Sequence, residues 1–321
     1  MVVGYFVFSP NTPAASVRVV MNTRTAAAAG RLDREGASHR EYYADPYSGA
    51  ILGTRNWGEA GFAPASLIPM VYRLHMSLFA GEAGQWITGM VAALLIVSVV
   101  LGMALVTLRP SIRRGALRVK WSAGRARAFF DLHRSVGLIA AVPLLVIAFT
   151  GLYMNLPSVV EPVVRAVSPF TERPTSVRTP AMTRAEVWAL GWDEAVSRAR
   201  AAEPAKALAV AGRVEGRGYY QVRFMSEGDI VDAGSTRVFI HGRTGAVLGR
   251  FEDRQGSAGD VVRIWQFPLH SGQAFGLAGR LLVMTLGIAP VLLAATGVWL
   301  WVRRRRMRRV GQESLQGGHL S

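Results

Sequence analysis

The sequence predicts an α+β membrane protein: three transmembrane helices carrying two small α+β modules outside the bilayer. Three observations predict it. Three uncharged apolar runs, Trp86–Leu108, Ser135–Val160 and Leu281–Val302, are each long enough for a bilayer core of roughly 30 Å, which needs about 20 residues. Alternating and turn-punctuated segments lie before the first run and between the second and third. Finally, the chain repeats itself. Leu74-His75 is followed by Gly81, Gly84 and Gly102, and Leu269-His270 by Gly276, Gly279 and Gly297, so glycines stand 6, 9 and 27 residues after each histidine. Four positions in register, 195 residues apart, mark an internal duplication with a histidine at the mouth of each repeated membrane helix.

Taken in order, residues 1–70 form a partial module. Val2–Phe8 is a short apolar strand, and Ser16–Asn22 alternates through Val17, Val19 and Met21. Ala26–Ser38 is small and polar, a loop. Tyr42–Gly53 reads as a hairpin around Asp45-Pro46 and Gly49, with Asp45 as turn chemistry. Residues 71–108 contain the first span, 109–128 a basic loop, and 129–156 the second span, in which Pro143 is tolerated because neighbouring helices satisfy the freed carbonyl. Region 157–268 holds the second module at about 180–253. Thr183–Ala202 is an amphipathic helix with Thr183-Arg184-Ala185-Glu186 as its capping box. Strands follow at Ala207–Val214, Tyr219–Phe224, Thr236–Ile240 and Ala246–Phe251. Gly245-Ala246-Val247-Leu248-Gly249 repeats Gly49-Ala50-Ile51-Leu52-Gly53. Residues 269–302 hold the third span, and 303–321 a basic tail.

The net charge of +16 raises the question of nucleic acid, and its distribution answers it. Seven basic and no acidic residues lie between Arg109 and Arg127, and six arginines lie between Arg303 and Arg309. Both clusters flank spans, where basic residues mark the cytoplasmic side and meet lipid headgroups. No aromatic–basic interleaving accompanies them, so nucleic acid is not an expected partner. The modules then face the opposite side. Absence of cysteine excludes disulfides, thiolate metal sites and covalent c-type haem.

No signal peptide is recognisable at the start. His133 precedes His270 by 137 residues, and the same count back from His75 falls before residue 1. The repeat therefore predicts a fourth, N-terminal helix with its own histidine, and a chain that is truncated or begins at a misassigned start.

Asp131-Leu132-His133-Arg134-Ser135-Val136-Gly137 with Thr150-Gly151, Leu269-His270-Ser271-Gly272 through Arg280, and Thr296-Gly297-Val298-Trp299-Leu300-Trp301 followed by arginines carry a resemblance. Together they resemble the PepSY-associated transmembrane helix family of bacterial inner-membrane proteins, and residues 180–253 resemble a PepSY domain. The family includes iron-regulated membrane proteins and ferric-siderophore reductases with b-type haem between their helices. The resemblance implies an inner-membrane electron carrier with haem b, taking electrons from an unidentified donor and passing them to an extracytoplasmic ferric siderophore.

His75 and His270 then read as the two axial ligands of one outer haem, since paired imidazoles give a low-spin iron suited to electron transfer. His133 lies a bilayer away, its partner expected on the absent helix, so the expectation is one well-formed outer site and a damaged or absent inner one. Gly81, Gly84, Gly276 and Gly279 either let the macrocycle approach the backbone or serve close helix packing. Arg134 and Arg280 either pair with propionates or contact lipid phosphate. Met76, Met90, Met103 and Met154 read as packing, Asp131 as a helix N-cap, and His39, His241 and His319 as solvated surface. No span carries an acidic residue in its interior, which argues against ion transport. The alternative is a non-enzymatic module that binds a peptide or protein while its helices only anchor it. A homodimer is a further candidate partner, and the sequence leaves open whether it restores the fourth helix.

Overall fold

Strands form where the sequence alternates or runs apolar: β1 (Val2–Phe8), β2 (Val17–Arg24), β3 (Ala37–Ala44), β4 (Ile51–Asn56), β5 (Ala207–Val214), β6 (Tyr219–Met225), β7 (Thr236–His241) and β8 (Val247–Glu252). The computed structural model describes residues 2–8, 17–24, 37–57, 59–109, 112, 114–171, 188–214, 218–230 and 234–317. The capping box at 183–186, most of the loop 26–38 and His319 lie outside these residues. The strands make one antiparallel sheet in the order β4-β3-β2-β1-β5-β6-β7-β8, so two four-stranded meanders meet at the β1–β5 pair.

The duplication is written into the register. Tyr43 faces Gly53 and Ala44 faces Ile51 across an irregularity in β3/β4; Phe239 faces Gly249 and Ile240 faces Val247 across the same irregularity in β7/β8. The turns match as well. Gly49 and Gly245 sit at φ 71° and 69°, a region that favours glycine, and donate to the carbonyls of Asp45 and His241. Asp45 Oδ1 accepts the amides of Tyr47 and Ser48. His241 Nδ1 accepts those of Arg243 and Thr244. His241 is therefore not merely solvated surface: it holds the second turn as Asp45 holds the first.

Two compact units divide the chain, one of residues 1–88 and 155–268, the other of 89–154 and 269–321. In the first unit, α1 (Pro64–Ser77) precedes the first span, α4 (Pro157–Val167) follows the second, α5 (Trp192–Ala202) covers the sheet, and most of α6 (Ala258–Ser271) follows the last strand. Ala195 and Ala199 on α5 are wholly buried against Tyr220, Val222, Phe224, Val238 and Ile240. Their small side chains let helix and sheet approach. Helix α5 begins after Gly191, which is extended at φ −73°, ψ 164°; the expected start at Thr183 lies outside the described residues.

The spans are α2 (Gly81–Leu108), α3 (Arg125–Asn155) and the pair α7 (Gly276–Leu286) and α8 (Ile288–Gly317). Among the described residues, three segments, Gly81–Leu108, Arg125–Asn155 and Gln273–Arg309, are long and apolar enough to cross a bilayer. The division of α7 from α8 follows from Pro290, which has no N–H to give the carbonyl of Leu286. Within the second unit, Ala140 and Leu144 of α3 pack on Leu286 and Ala289. Two expectations are corrected. His75 and His270 stand not on the spans but near the C-termini of α1 and α6, separate helices that end before the spans begin. Asp131 does not cap a helix: it lies inside α3, fully buried.

Candidate histidine sites

In the second unit two histidines make the same pair of contacts. His133 Nδ1 lies 2.9 Å from Thr296 Oγ1, and His270 Nδ1 lies 3.0 Å from Thr150 Oγ1. A threonine hydroxyl has one hydrogen. Thr296 gives it to the carbonyl of Leu292 at 2.6 Å, and Thr150 to that of Val146 at 2.8 Å. Each hydroxyl can then only accept, so each imidazole donates from Nδ1. His270 Nδ1 also lies 3.1 Å from the carbonyl oxygen of Ile147, which has no hydrogen to offer. The neutral ring with its proton on Nδ1 carries its lone pair on Nε2. Metal-bound histidines are commonly held so, the far nitrogen donating to a fixed oxygen that sets tautomer and ring direction.

Room for the rings comes from the residue after each threonine. A Cβ on Gly151 would stand 3.1 Å from His270 Cε1, and one on Gly297 would stand 3.4 Å from His133 Cε1. The two sites therefore share a Thr-Gly pair facing a histidine. They are far apart: His133 and Thr150 are 17 residues apart on α3, about 25 Å of helix. His133 and His270 cannot bind one iron.

His75 is exposed, in the last turn of α1. Its surroundings belong to the first unit and are fixed by polar groups at the ends of α2 and α3. Asn155 Nδ2 donates to Thr88 Oγ1 at 2.6 Å and to the carbonyl of Met76 at 3.2 Å, and Thr88 Oγ1 lies 2.9 Å from the same carbonyl. The residue after His75 is thereby tied to the second turn of α2 and the end of α3. A lone Asn and a lone Thr at the ends of apolar runs were the only signal.

The glycines of the repeat have backbone work. A Cβ on Gly84 would fall 1.6 Å from the carbonyl oxygen of Ser77, and one on Gly279 would fall 2.2 Å from that of Gly272, its counterpart two residues beyond His270. Each glycine lets the span fold back against the helix end that carries the histidine. Gly81 and Gly276 open their helices at φ 58° and 60°.

The role read for Arg134 needs correction. Its side chain is buried and donates to the carbonyls of Ala116 and Gly115 at 3.0 and 2.7 Å, and it pairs with Asp131 at 3.1 Å. Asp131 also pairs with Arg127 and accepts the amide of Lys120. Arg134 is thus committed to the loop before α3, leaving neither a propionate nor a lipid phosphate as its partner. Arg280 is exposed. Among the described residues, no three His, Asp or Glu side chains gather as a metal site.

The family model described as the PepSY-associated TM region matches residues 7–304. No curated protein matches the chain.

Proposed function

We propose that this chain, which belongs to the PepSY-associated TM region family, is a multi-pass membrane protein that binds b-type haem and transfers electrons to extracytoplasmic ferric chelates. The observation that carries the reading is the tautomer of His133 and His270. Each gives its Nδ1 proton to a threonine, and the neutral ring keeps its lone pair on Nε2, the nitrogen that would bind iron. The residues fit such a group as ligands. His270 would be a ligand of an outer haem iron and His133 of an inner one, and His75, the register equivalent of His270, is the further candidate ligand that the repeat supplies.

Haem, when bound, supplies a one-electron store cycling between iron(III) and iron(II). The chain's own contribution is orientation and exclusion of water. Thr150 and Thr296 fix the rings, Gly151 and Gly297 admit them, and the apolar spans keep the site in a low dielectric. The basic loop after α2 and the arginines 303–309 within α8 support a cytoplasmic location for that side in a bacterial inner membrane, by the positive-inside rule. A donor there or in the quinone pool would give one electron, and a siderophore-bound iron(III) outside would accept it. Iron(II) binds hard oxygen ligands less tightly, so reduction frees the metal.

The test is the absorption spectrum of purified protein. A b-type Soret band that falls in His270→Ala and, separately, in His133→Ala supports the reading, as does reduction of a ferric hydroxamate by dithionite-reduced protein. Colourless protein after expression with added haem precursor sinks it and leaves a membrane-anchored binding module.

A further inference from the structure

Helix α4 is inverted relative to an ordinary surface helix. Such helices turn apolar residues inward and charges to water. At 100° per residue, Val159, Pro162, Val163, Ala166 and Val167 share one face of α4, and that face is outward: Val159, Val163 and Val167 are 48%, 67% and 88% exposed. Both charged residues are engaged on the opposite side. Glu161 pairs with Arg263 at 2.8 Å, and the Arg165 guanidinium lies 4.6 Å from the Phe170 ring centroid. The outward face has no charge and no titratable group.

One residue, Leu156, separates α4 from the end of the span α3. Asn155, the last residue of α3, is held by Thr88 and Met76 in the same unit as α4. The helix therefore starts where a lipid-embedded segment emerges. We propose that α4 lies in the membrane interface, its valine face seated among lipid headgroups and upper acyl chains. A helix of this kind sinks about 5–10 Å into that boundary and lies in the membrane plane. The occupant is lipid, because the apolar face continues a chain that has just left the bilayer. In this seat α4 anchors the first unit through Arg263 and Phe170, fixing how close α6 comes to the membrane. The proposal does not depend on haem.

The chain has no cysteine, so single cysteines report without a background. Nitroxide labels are placed through Val163→Cys, Val167→Cys and, on the Arg165 side, Ser158→Cys. The full chain is reconstituted into phosphatidylethanolamine–phosphatidylglycerol vesicles, and power saturation compares dissolved oxygen with an aqueous nickel chelate. Oxygen is expected to relax the labels at 163 and 167 more than the chelate does, with the order reversed at 158. Chelate dominance at 163 and 167 would overturn the proposal, because the face would then be in water. Exclusion of both reagents there would also overturn it, since another protein surface, such as a second copy, would be covering the valines. All three positions are exposed, so no packed side chain is removed.

Discussion

Thr150 Oγ1 lies 3.0 Å from Nδ1 of His270, and Thr150 has already given its hydrogen to the carbonyl of Val146, so the imidazole is the donor. The same relation holds between Thr296 and His133, and the second acceptor is matched as well: His270 has the carbonyl of Ile147 and His133 that of Leu293, each three residues before its threonine.

Valine substitution should affect the two alike. Thr296→Val leaves His133 the Leu293 carbonyl, and Thr150→Val leaves His270 the Ile147 carbonyl, so each should cost about 0.5–1.5 kcal/mol. Melting temperatures in one detergent compare the losses. A loss several times larger in one variant would show that the two carbonyls are not equivalent acceptors.

Glycine substitutions extend the argument. Gly84→Ala and Gly279→Ala drive a methyl group into backbone oxygen, at 1.6 and 2.2 Å, and neither neighbour is a flexible side chain. Both variants should lose at least about 1–3 kcal/mol. Gly151→Ala meets the His270 ring at 3.1 Å and should displace it, whereas Gly297→Ala, at 3.4 Å from His133, should be milder. Thermal unfolding ranks the four, and a mild Gly84→Ala would contradict the close approach.

Much of this was legible in the sequence and some was not, for physical reasons. Strand positions were readable because period-two alternation survives in Tyr220, Val222 and Phe224, and the duplicated Gly-Ala-x-Leu-Gly fixed both hairpins. The glycine spacing showed that the repeat mattered, yet not that Gly84 meets Ser77, because spacing along a chain says nothing of the turn that folds it back. Arg134 looked like a surface cation beside a membrane. Its burial depends on the carbonyls of Gly115 and Ala116, groups every residue has and no sequence pattern marks. Thr150 and Thr296 were visible as Thr-Gly pairs, but their histidine partners come from other helices.

The turn after His75 carries backbone strain. Leu78 and Phe79 both lie in the left-handed region, at φ 53° and 58°, where a side chain costs about 1–2 kcal/mol per residue. The corresponding turn after His270 uses Gly272, at φ 76°. Leu78→Gly should therefore raise stability by about 1 kcal/mol, less the contact its half-exposed side chain gives up. Denaturant unfolding reads the sign, and a clear loss would mean the leucine packs more than it strains.

Acid sensitivity has a named source at the start of α6. Burial pushes the Asp260 carboxyl up, but hydrogen bonds from Thr171 and Ser257 outweigh it, and the net displacement is downward. A carboxylate depressed in the folded state stabilises fully above its unfolded value, about 3.9, and loses that contribution as pH falls through the lower folded value. Asp260→Asn should thus melt lower than the parent at pH 7, with the gap narrowing below pH about 3.9. A gap that stays constant with pH would place the stabilisation outside ionisation.

The two hairpin turns allow a test of the duplication itself. Asp45 receives the amides of Tyr47 and Ser48, and these hydrogen bonds, from Ser48 first, hold its carboxyl below the usual range. His241 receives the amides of Arg243 and Thr244 at 3.1 and 3.3 Å, so its Nδ1 must be unprotonated there. If the turns are equivalent, the acceptor matters and not the ring. His241→Asp should then keep the second turn and its stability, whereas His241→Ala should lose about 0.5–1.5 kcal/mol. Hydrogen exchange at the Arg243 and Thr244 amides reads the turn directly: protection retained in the aspartate variant and lost in the alanine variant is the expected result. Loss in both would mean that the imidazole holds the turn by packing, and that the resemblance of the two hairpins stops at their backbones.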